Sequence, residues 1–337
     1  MRPAVAVCIV THNSAADLPG CLEAVERLEH RPLEIVVVDC ASADGSLEAA
    51  RRSAPAASEG IPFQAVGLTE NAGFAGGMNA AFGLTSAPFV LTLNADARPA
   101  ADYVSRLLAL AEAHPDLRAG AVTGRLVRPV DPIGAGGVRR LDACGMRLIR
   151  SWRHLDRGSG EEDRGQFSVP ERVFGATGAA TLFRRAALDD AAVEGEIFDS
   201  RFHSFREDAE LCFRLRERGW EILYEPAAVT EHRRFNLPER RSAMPPLVNY
   251  HSLKNRYLLR LYHQTAGNLL RTLVPALLRD TAALGYVVLR ERSSLAAYAW
   301  LWRHRAEILR RRRIIQGRRT EPAAALDRWF SSPGEPL

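Results

Sequence analysis

Five places in the sequence carry side chains able to do chemistry: Asp39, the loop Asn71-Ala72-Gly73-Phe74-Ala75-Gly76-Gly77, the triplet Asn94-Ala95-Asp96, the pair Glu207-Asp208, and His232. Asp96 follows the apolar run Phe89-Val90-Leu91-Thr92-Leu93. A carboxylate there can hold a divalent cation, which in turn can hold phosphate. It can also cap a following helix, since Ala100 to His114 reads as helical. Asp39 could accept a hydrogen bond from a base N–H, and the backbone from Gly73 to Gly77 could come close to a ligand. Each of these groups taken alone also reads as an ordinary turn residue. Glu207-Asp208 opens a helix expected over Phe205 to Arg218. The helix dipole favours an ionised carboxylate there, and the neighbouring carboxylate pushes the other way. Such a group suits removal of a proton from a hydroxyl, although an acidic first turn is also common in ordinary helices. His232 could ligate a metal through a neutral imidazole. His12, His203 and His251 read as structural.

These groups are positioned by an alternation of strands and helices. Strands are expected at Ala4 to Val10, Leu33 to Val38, Phe63 to Leu68 and Phe89 to Leu93. Helices are expected at Asp17 to Leu28, after the turn Cys40 to Ser46, and around Met78 to Leu84. That order argues for a mostly parallel α/β sheet with right-handed crossovers. Asp39, the Asn71 loop and Asp96 then fall at carboxyl ends of strands, along the one edge where such sheets bind ligands. The first turn lacks GxGxxG and the glycine loop lacks a Lys-Ser/Thr ending, so neither a dinucleotide fingerprint nor a P-loop is present. Arg125 to Pro170 reads as long loops with a hairpin near Cys144 to His154. Val173 to Phe183 is small and apolar. Glu221 to Glu225 reads as a strand, followed after Pro226 by Val229 to His232.

From Leu247 helical patterning dominates, with Pro275 expected to kink a Leu-rich helix. Leu295 to Trp302 adds Tyr298, Trp300 and Trp302, and Arg303, Arg305, Arg310 to Arg313, Arg318 and Arg319 form a basic block. Two readings stand: an interfacial segment on anionic lipid, or a bundle packed on the catalytic unit with a solvated basic face. Residues from Thr320 onward are expected to be poorly ordered. The 337 residues carry a net charge of +5, and Lys254 is the single lysine. Five scattered cysteines without CxxC spacing suggest a reduced, cytoplasmic setting and no zinc site. No signal peptide is read at the start, and no apolar run approaches the about 20 residues of a membrane span. The basic block has no nucleic-acid recognition motif beside it, so no nucleic-acid partner is expected.

The motifs Val-Thr-His-Asn ending at Asn13, Val-Val-Asp-x-x-Ser-x-Asp-Gly-Ser from Val37 to Ser46, and Glu-Asn-x-Gly-Phe-Ala-x-Gly-x-Asn from Glu70 to Asn79 come first. Leu-Asn-x-Asp ending at Asp96, Phe-Arg-Glu-Asp-x-Glu-Leu-Cys-x-Arg-Leu-Arg-x-x-Gly-Trp from Phe205 to Trp220, and His232 follow. In this order the chain resembles family 2 inverting glycosyltransferases over about its first two-thirds, with the closest look to the bacterial rhamnosyltransferase-like branch. The resemblance implies a GT-A fold at 1–240, with nucleotide-sugar binding in 1–124 and the acceptor side and base in 125–240. A helical extension at 241–320 and a tail at 321–337 follow. It implies that Thr11 and Asp39 contact the nucleoside and that Asn71 and Gly73 line the donor pocket, with Asn13, Ser42, Asp44, Phe74, Asn79 and Asn94 as further nucleotide-sugar-binding residues. Asp96 and His232 would hold Mg²⁺ or Mn²⁺, Asp208 would be the catalytic base, and Gly175, Thr177, Gly178 and Glu207 would form the acceptor side. Asn94 departs from a strict Asp-x-Asp pattern, which removes one negative charge from the metal site.

The implied activity moves a sugar, with rhamnose favoured, from a dTDP- or UDP-linked donor to a hydroxyl of a glycan or polyprenyl-linked acceptor in cell-envelope polysaccharide synthesis. The implied place is the cytoplasm, with peripheral contact at the cytoplasmic face of the plasma membrane. The alternatives are a galactofuranosyl- or other hexosyltransferase, and a non-catalytic nucleotide-sugar-binding protein. A glycoside hydrolase with paired carboxylates needs no diphosphate site, so the Asp39 and glycine-loop pattern speaks against it.

Overall fold

The computed structural model describes residues 2–55, 60–130, 137–234, 244–330 and 332–337. Its first half alternates as expected: β1 (Val5–Thr11), α1 (Leu18–Glu26), β2 (Leu33–Asp39), α2 (Ser46–Arg52), β3 (Phe63–Gly67), α3 (Gly73–Gly83) and β4 (Phe89–Asn94). A short β5 (Ala97–Pro99) precedes α4 (Tyr103–Ala113), β6 (Ala119–Val127), β7 (Leu141–Ala143), β8 (Met146–Ile149), β9 (Arg153–Asp156) and β10 (Glu171–Arg172). Then come β11 (Ala180–Arg184), α5 (Arg185–Ala191), α6 (Glu207–Glu217) and β12 (Glu221–His232). The chain closes with α7 (Pro246–His263), α8 (Ala266–Arg290), α9 (Ala296–Arg303), α10 (Arg305–Gly317) and β13 (Glu335–Pro336).

The main sheet runs β13-β10-β12-β6-β11-β4-β1-β2-β3, with β5 on β12 and β7 on β6. The β3-β2-β1-β4 block is parallel, and β11 enters antiparallel between β4 and β6. β1 is covered on both faces, which is why it reads as a continuous apolar run. Val5, Val7 and Ile9 pack with Leu18, Leu22 and Val25 of α1 and with α4, while Ala6 and Cys8 pack with Met78 and Phe82 of α3.

Several expectations change. α3 starts at Gly73, so the glycine loop is the first turn of the helix and not a lead into it. Asp96 does not cap the helix that follows: β5 intervenes, and Asp102 occupies that N-cap. β12 is one strand of 12 residues, with a register shift between Glu225 and Val229 that absorbs Pro226. The C-terminal end is packed: a 3-10 segment, Ala323–Phe330, buries Leu326, Trp329 and Phe330, and β13 pairs with β10.

The C-terminal helices share a core with the β8–β9 hairpin and α6, through Trp152, Phe174, Phe213, Leu258, Tyr262 and Trp329. Part of the arginine block turns inward. Arg311 is fully buried against Asp199 (3.0 Å), Arg319 binds Glu217 (2.6 Å), Arg318 donates to the Asp190 carbonyl (2.7 Å), and Arg312 to the Leu261 carbonyl (2.6 Å). Arg311, Arg318 and Arg319 fasten α10 and the residues after it to the sheet-bearing part of the chain and Arg312 ties α10 to α7, so the block is not a single lipid-facing patch. Among the described residues one helix, α8, has the length and composition to cross a membrane. This departs from the expectation that no apolar run is long enough, because Arg271, Arg279 and Asp280 break up the apolar residues of α8 in sequence.

Candidate functional site

Register places the first groups side by side. Thr11 is level with Asp39 across β1–β2, and Val10 is level with Asn94 across β1–β4. Asp39 accepts from the Ser42 hydroxyl (2.5 Å) and the Ser42 N–H (2.9 Å). Asn13 Oδ1 accepts from Ala43 N–H (2.9 Å), and Asp44 accepts from Ala15 N–H (2.9 Å). Asn13, Ser42 and Asp44 thus lace the first two strand-to-helix turns together, which fixes the edge on which Asp39 sits. The Thr11 hydroxyl is buried without a hydrogen-bond partner among the described residues.

In the next loop Asn71 Oδ1 accepts from Gly73 N–H (2.9 Å). Gly73 has φ +67°, and a Cβ there would fall 2.3 Å from the His203 carbonyl oxygen, so only glycine fits. Asn79 spends both ends of its amide on the Phe198 backbone, donating to O (2.7 Å) and accepting from N–H (2.9 Å). Phe74 stacks edge-on to Phe198 with centroids 5.7 Å apart, and it lies where a Cβ on Gly178 would meet its ring at 2.9 Å.

His232 is the junction of the site. Its Nδ1 is 2.7 Å from Asp142 Oδ2, and Nε2 lies 3.3 Å from Asp96 Oδ1 and 3.2 Å from Asn94 Nδ2. Burial alone would lower the imidazole pKa; the hydrogen bonds and charges of Asp142 and Asp96 outweigh it and raise it to about 9. Burial likewise works against ionisation of Asp96, but His232 and the Arg234 N–H (3.1 Å) hold it below the usual carboxylate range. Asp142 also binds Arg234 (3.2 Å), whose guanidinium reaches Asp156 (2.6 Å). Asp142, Asp156 and Arg234 were not singled out from the sequence. Asp142 sits on a three-residue strand in a stretch read as loops, and only its position between Leu141 and Ala143 hinted at burial.

Asp208 sits at the start of α6 with Oδ2 accepting from Gly178 N–H (3.2 Å) and Oδ1 from Ala209 N–H (2.7 Å). Burial, then the charge of Asp156, raise it to about 6 against those two N–H bonds. The dipole is therefore not the dominant influence here. Glu207 is raised well above its ordinary value by burial and by Asp208, and its Oε2 has no hydrogen-bond partner among the described residues. Gly175 packs on Cys212, where a Cβ would lie 3.0 Å from Sγ, and the Thr177 carbonyl accepts from the Thr181 hydroxyl (2.6 Å). The turn before Asp208 is left-handed at His203, Phe205 and Arg206 (φ 63°, 72° and 73°). Asn255, fully buried on α7, donates through one amide nitrogen to the carbonyls of Phe202 (2.8 Å), Ser204 (2.8 Å) and Phe205 (2.7 Å). The same turn binds the glycine loop, since Ala75 N–H donates to the His203 carbonyl (3.0 Å).

Residues 6–191, more than half of the chain, match the family model described as glycosyl transferase family 2. The chain belongs to glycosyl transferase family 2. This family 2 glycosyltransferase is 37% identical over 112 residues to the undecaprenyl-phosphate 4-deoxy-4-formamido-L-arabinose transferase of Pseudomonas syringae pv. syringae (strain B728a). The corresponding protein of Pseudomonas savastanoi pv. phaseolicola (strain 1448A / Race 6) is 36% identical over 112 residues, and the match spans 32% of each chain in both cases. The chain thus spans about a third of the length of these relatives. Among solved structures it resembles mannosyltransferase PcManGT from Pyrobaculum calidifontis, in complex with GDP-Man and Mn²⁺. The TM-score is 0.54 at 20% identity, covering 98% of this chain and 89% of that one. S. aureus TarS 1–349 in complex with UDP-GlcNAc gives a TM-score of 0.57 at 14% identity over 93% and 90% of the two chains. These likenesses show the fold, which is GT-A.

Asp96 and His232 fit a divalent cation on the condition that the cation displaces the proton that Asp142 and Asp96 otherwise hold on the imidazole. The Nδ1 of His232 is committed to Asp142, which turns Nε2 toward Asp96, as second-shell carboxylates do for metal-binding histidines. No group of three His, Cys, Asp or Glu side chains forms a metal site among the described residues. A cation held by Asp96 and His232 therefore needs further oxygens, which a diphosphate supplies.

Proposed function

We propose that this glycosyltransferase inverts the anomeric centre. It moves a sugar from a dTDP- or UDP-linked donor to a hydroxyl of a glycan or polyprenyl-linked acceptor for the cell envelope. Its place of work is the cytoplasmic face of the plasma membrane, where it sits peripherally. Rhamnose is the first donor sugar to test, on the strength of the motif resemblance. A membrane-borne acceptor accords with the Pseudomonas relatives, which are undecaprenyl-phosphate 4-deoxy-4-formamido-L-arabinose transferases.

One observation carries the reading. Asn94 N–H donates to the Ala179 carbonyl (2.9 Å), and the adjacent Gly178 N–H donates to Asp208 (3.2 Å). A single dipeptide thus joins the Asn94–Asp96 edge to the carboxylate on α6. Thr11 and Asp39 bind the nucleoside, Asn71 and Gly73 shape the loop under the donor, and Gly175 to Gly178 wall the acceptor side. Asp96 and His232 hold Mg²⁺ or Mn²⁺, which when bound offsets the negative charge growing on the leaving diphosphate. Asp208 accepts the proton of the acceptor hydroxyl. The freed oxygen bonds to the anomeric carbon from the face opposite the diphosphate, whose bond to that carbon breaks.

The test is turnover by the full chain with dTDP- and UDP-sugars, Mn²⁺ and a polyprenyl-linked acceptor. Nucleoside diphosphate release should require acceptor, and the product linkage should be inverted. The rate should fall tenfold per pH unit below about pH 6, where Asp208 is protonated, and level off above it. Release of diphosphate with retained configuration, or an acid limb far from Asp208's range, would contradict the assignment. A non-catalytic binder predicts donor binding with no release under any condition.

A further inference from the structure

Arg234 lies two residues past the end of β12 and touches both halves of the site. Its backbone N–H donates to Asp96 Oδ2 (3.1 Å), while the other oxygen of that carboxylate faces Nε2 of His232. Its Nη1 binds Asp142 Oδ1 (3.2 Å), and the other oxygen of Asp142 meets Nδ1 of His232 (2.7 Å). The same nitrogen lies 2.6 Å from Asp156 Oδ2 on β9. One residue therefore joins carboxylates from separate parts of the chain. Arg234 has φ +46°, a left-handed conformation that a residue other than glycine keeps only where its surroundings hold it. The bonds to Asp96, Asp142 and Asp156 supply that hold.

Asp156 leads on to the base. Successive side chains of a strand point to opposite faces, so His154 and Asp156 share one face of β9. His154 Nδ1 lies 3.4 Å from Nη1 of Arg206, which is the N-cap of α6 and stands two residues before Asp208. That face of β9 is thus turned toward the start of α6. The ionisable groups gathered there are Arg153, His154 and Asp156 of β9, Arg206, Glu207 and Asp208 at the start of α6, and Arg234 and Asp142, with His232 behind Asp142. After burial, the charge of Asp156 does most to raise Asp208, and Arg234 acts in the opposite sense.

We propose that Arg234 is a positioning residue that serves both ends of the site at once: it braces Asp96 and Asp142 around His232, and it holds Asp156 in place beside Asp208. The inference deepens the function proposed above and rests on the roles given there to Asp96, His232 and Asp208. A guanidinium suits the task because its charge persists at every working pH. Without it, Asp142 and Asp156 lose the cation they share, and their like charges oppose each other.

The test compares the full chain with Arg234→Gln, Arg234→Lys and Asp156→Asn. Mn²⁺ binding in the presence of UDP or dTDP is read by electron paramagnetic resonance. Carboxyl titrations are followed in metal-free protein by NMR of isotopically labelled aspartates, with Asp208→Asn marking the signal of the base. Arg234→Gln should weaken Mn²⁺ binding by about 10–100-fold, the usual cost of losing a partner that orients metal ligands. The last proton held by the pair Asp156 and Asp208 should then leave at higher pH than in the parent, because a cation that favours ionisation is gone. Arg234→Lys should recover most of the Mn²⁺ binding, since a single nitrogen of Arg234 serves both side-chain bonds. Asp156→Asn should leave Mn²⁺ binding as in the parent and move Asp208 below about 6, because a charge that raises it is gone. Where the parent binds Mn²⁺, either readout unchanged in Arg234→Gln overturns the inference, as does a lysine variant no better than the glutamine one. A fall in melting temperature alone would make Arg234 a structural residue only. A parent that binds no Mn²⁺ counts against the donor site proposed above. The metal-free titrations then decide this inference: opposite shifts in Arg234→Gln and Asp156→Asn support it, and no shift overturns it.

Discussion

Asp208→Asn is expected to lower kcat by about 10²–10⁴-fold, the range set by loss of a positioned general base, with donor affinity unchanged. Asparagine keeps the shape, but its one amide oxygen can accept from only one of the Gly178 and Ala209 N–H groups, and it cannot take a proton at working pH. The melting temperature should move little above about pH 6, where loss of one N–H bond and removal of a buried charge oppose each other. Asp208 is raised to about 6 in the folded protein by burial and then by Asp156, so the folded state holds that proton more tightly than the unfolded chain. The stabilisation this gives is complete below the unfolded carboxyl value and is lost as pH rises through about 6. A neutral asparagine escapes that loss. Steady-state kinetics beside calorimetric donor titration separate the effects, and turnover surviving within a fewfold of the parent would remove Asp208 from the role of base.

Asn255→Ala should also be severe, although the side chain belongs to α7 and not to the sheet. It strips the donor from the carbonyls of Phe202, Ser204 and Phe205. The Phe202 carbonyl keeps the Ser204 N–H (2.7 Å), but the half-buried Ser204 and Phe205 carbonyls lose this partner, at up to about 1–3 kcal/mol each, and the three left-handed residues nearby hold the turn away from its relaxed form. We expect a lower melting temperature and a kcat reduced by about tenfold or more, since small displacements of a reacting group are costly, with a smaller change in donor affinity. The acid limb set by Asp208 should move as well, because its distance from Asp156 is no longer fixed. A melting loss with an unshifted limb and normal kcat would make Asn255 a packing residue only.

Most of the first half was legible because β1, β2 and β4 are largely buried and read as mainly apolar runs, the last two ending in Asp39 and Asn94. The motif around Asp208 placed α6 to within two residues. What escaped were features decided by a partner distant in the chain. Asp142 and Arg234 matter because His232 lies between Asp96 and Asp142, and neither sits in a pattern that local periodicity can detect. The arginine block looked uniformly basic, yet Arg311 is fully buried because Asp199 and Glu196 meet it from a segment more than a hundred residues earlier. Trp329 and Phe330 pin the end of the chain, where composition alone suggested a loose tail. α8 could be read as an apolar helix, but which side faced the protein depended on Trp152 reaching Thr272.

The most direct test of the donor site is the position of Mn²⁺ in crystals grown with UDP or dTDP, read from anomalous diffraction. One peak is expected beside the Asp96 carboxylate and Nε2 of His232, dependent on the nucleotide and absent in Asp96→Ala. A Mn²⁺ peak bound elsewhere, or one that persists beside His232 without the Asp96 carboxylate, would contradict it.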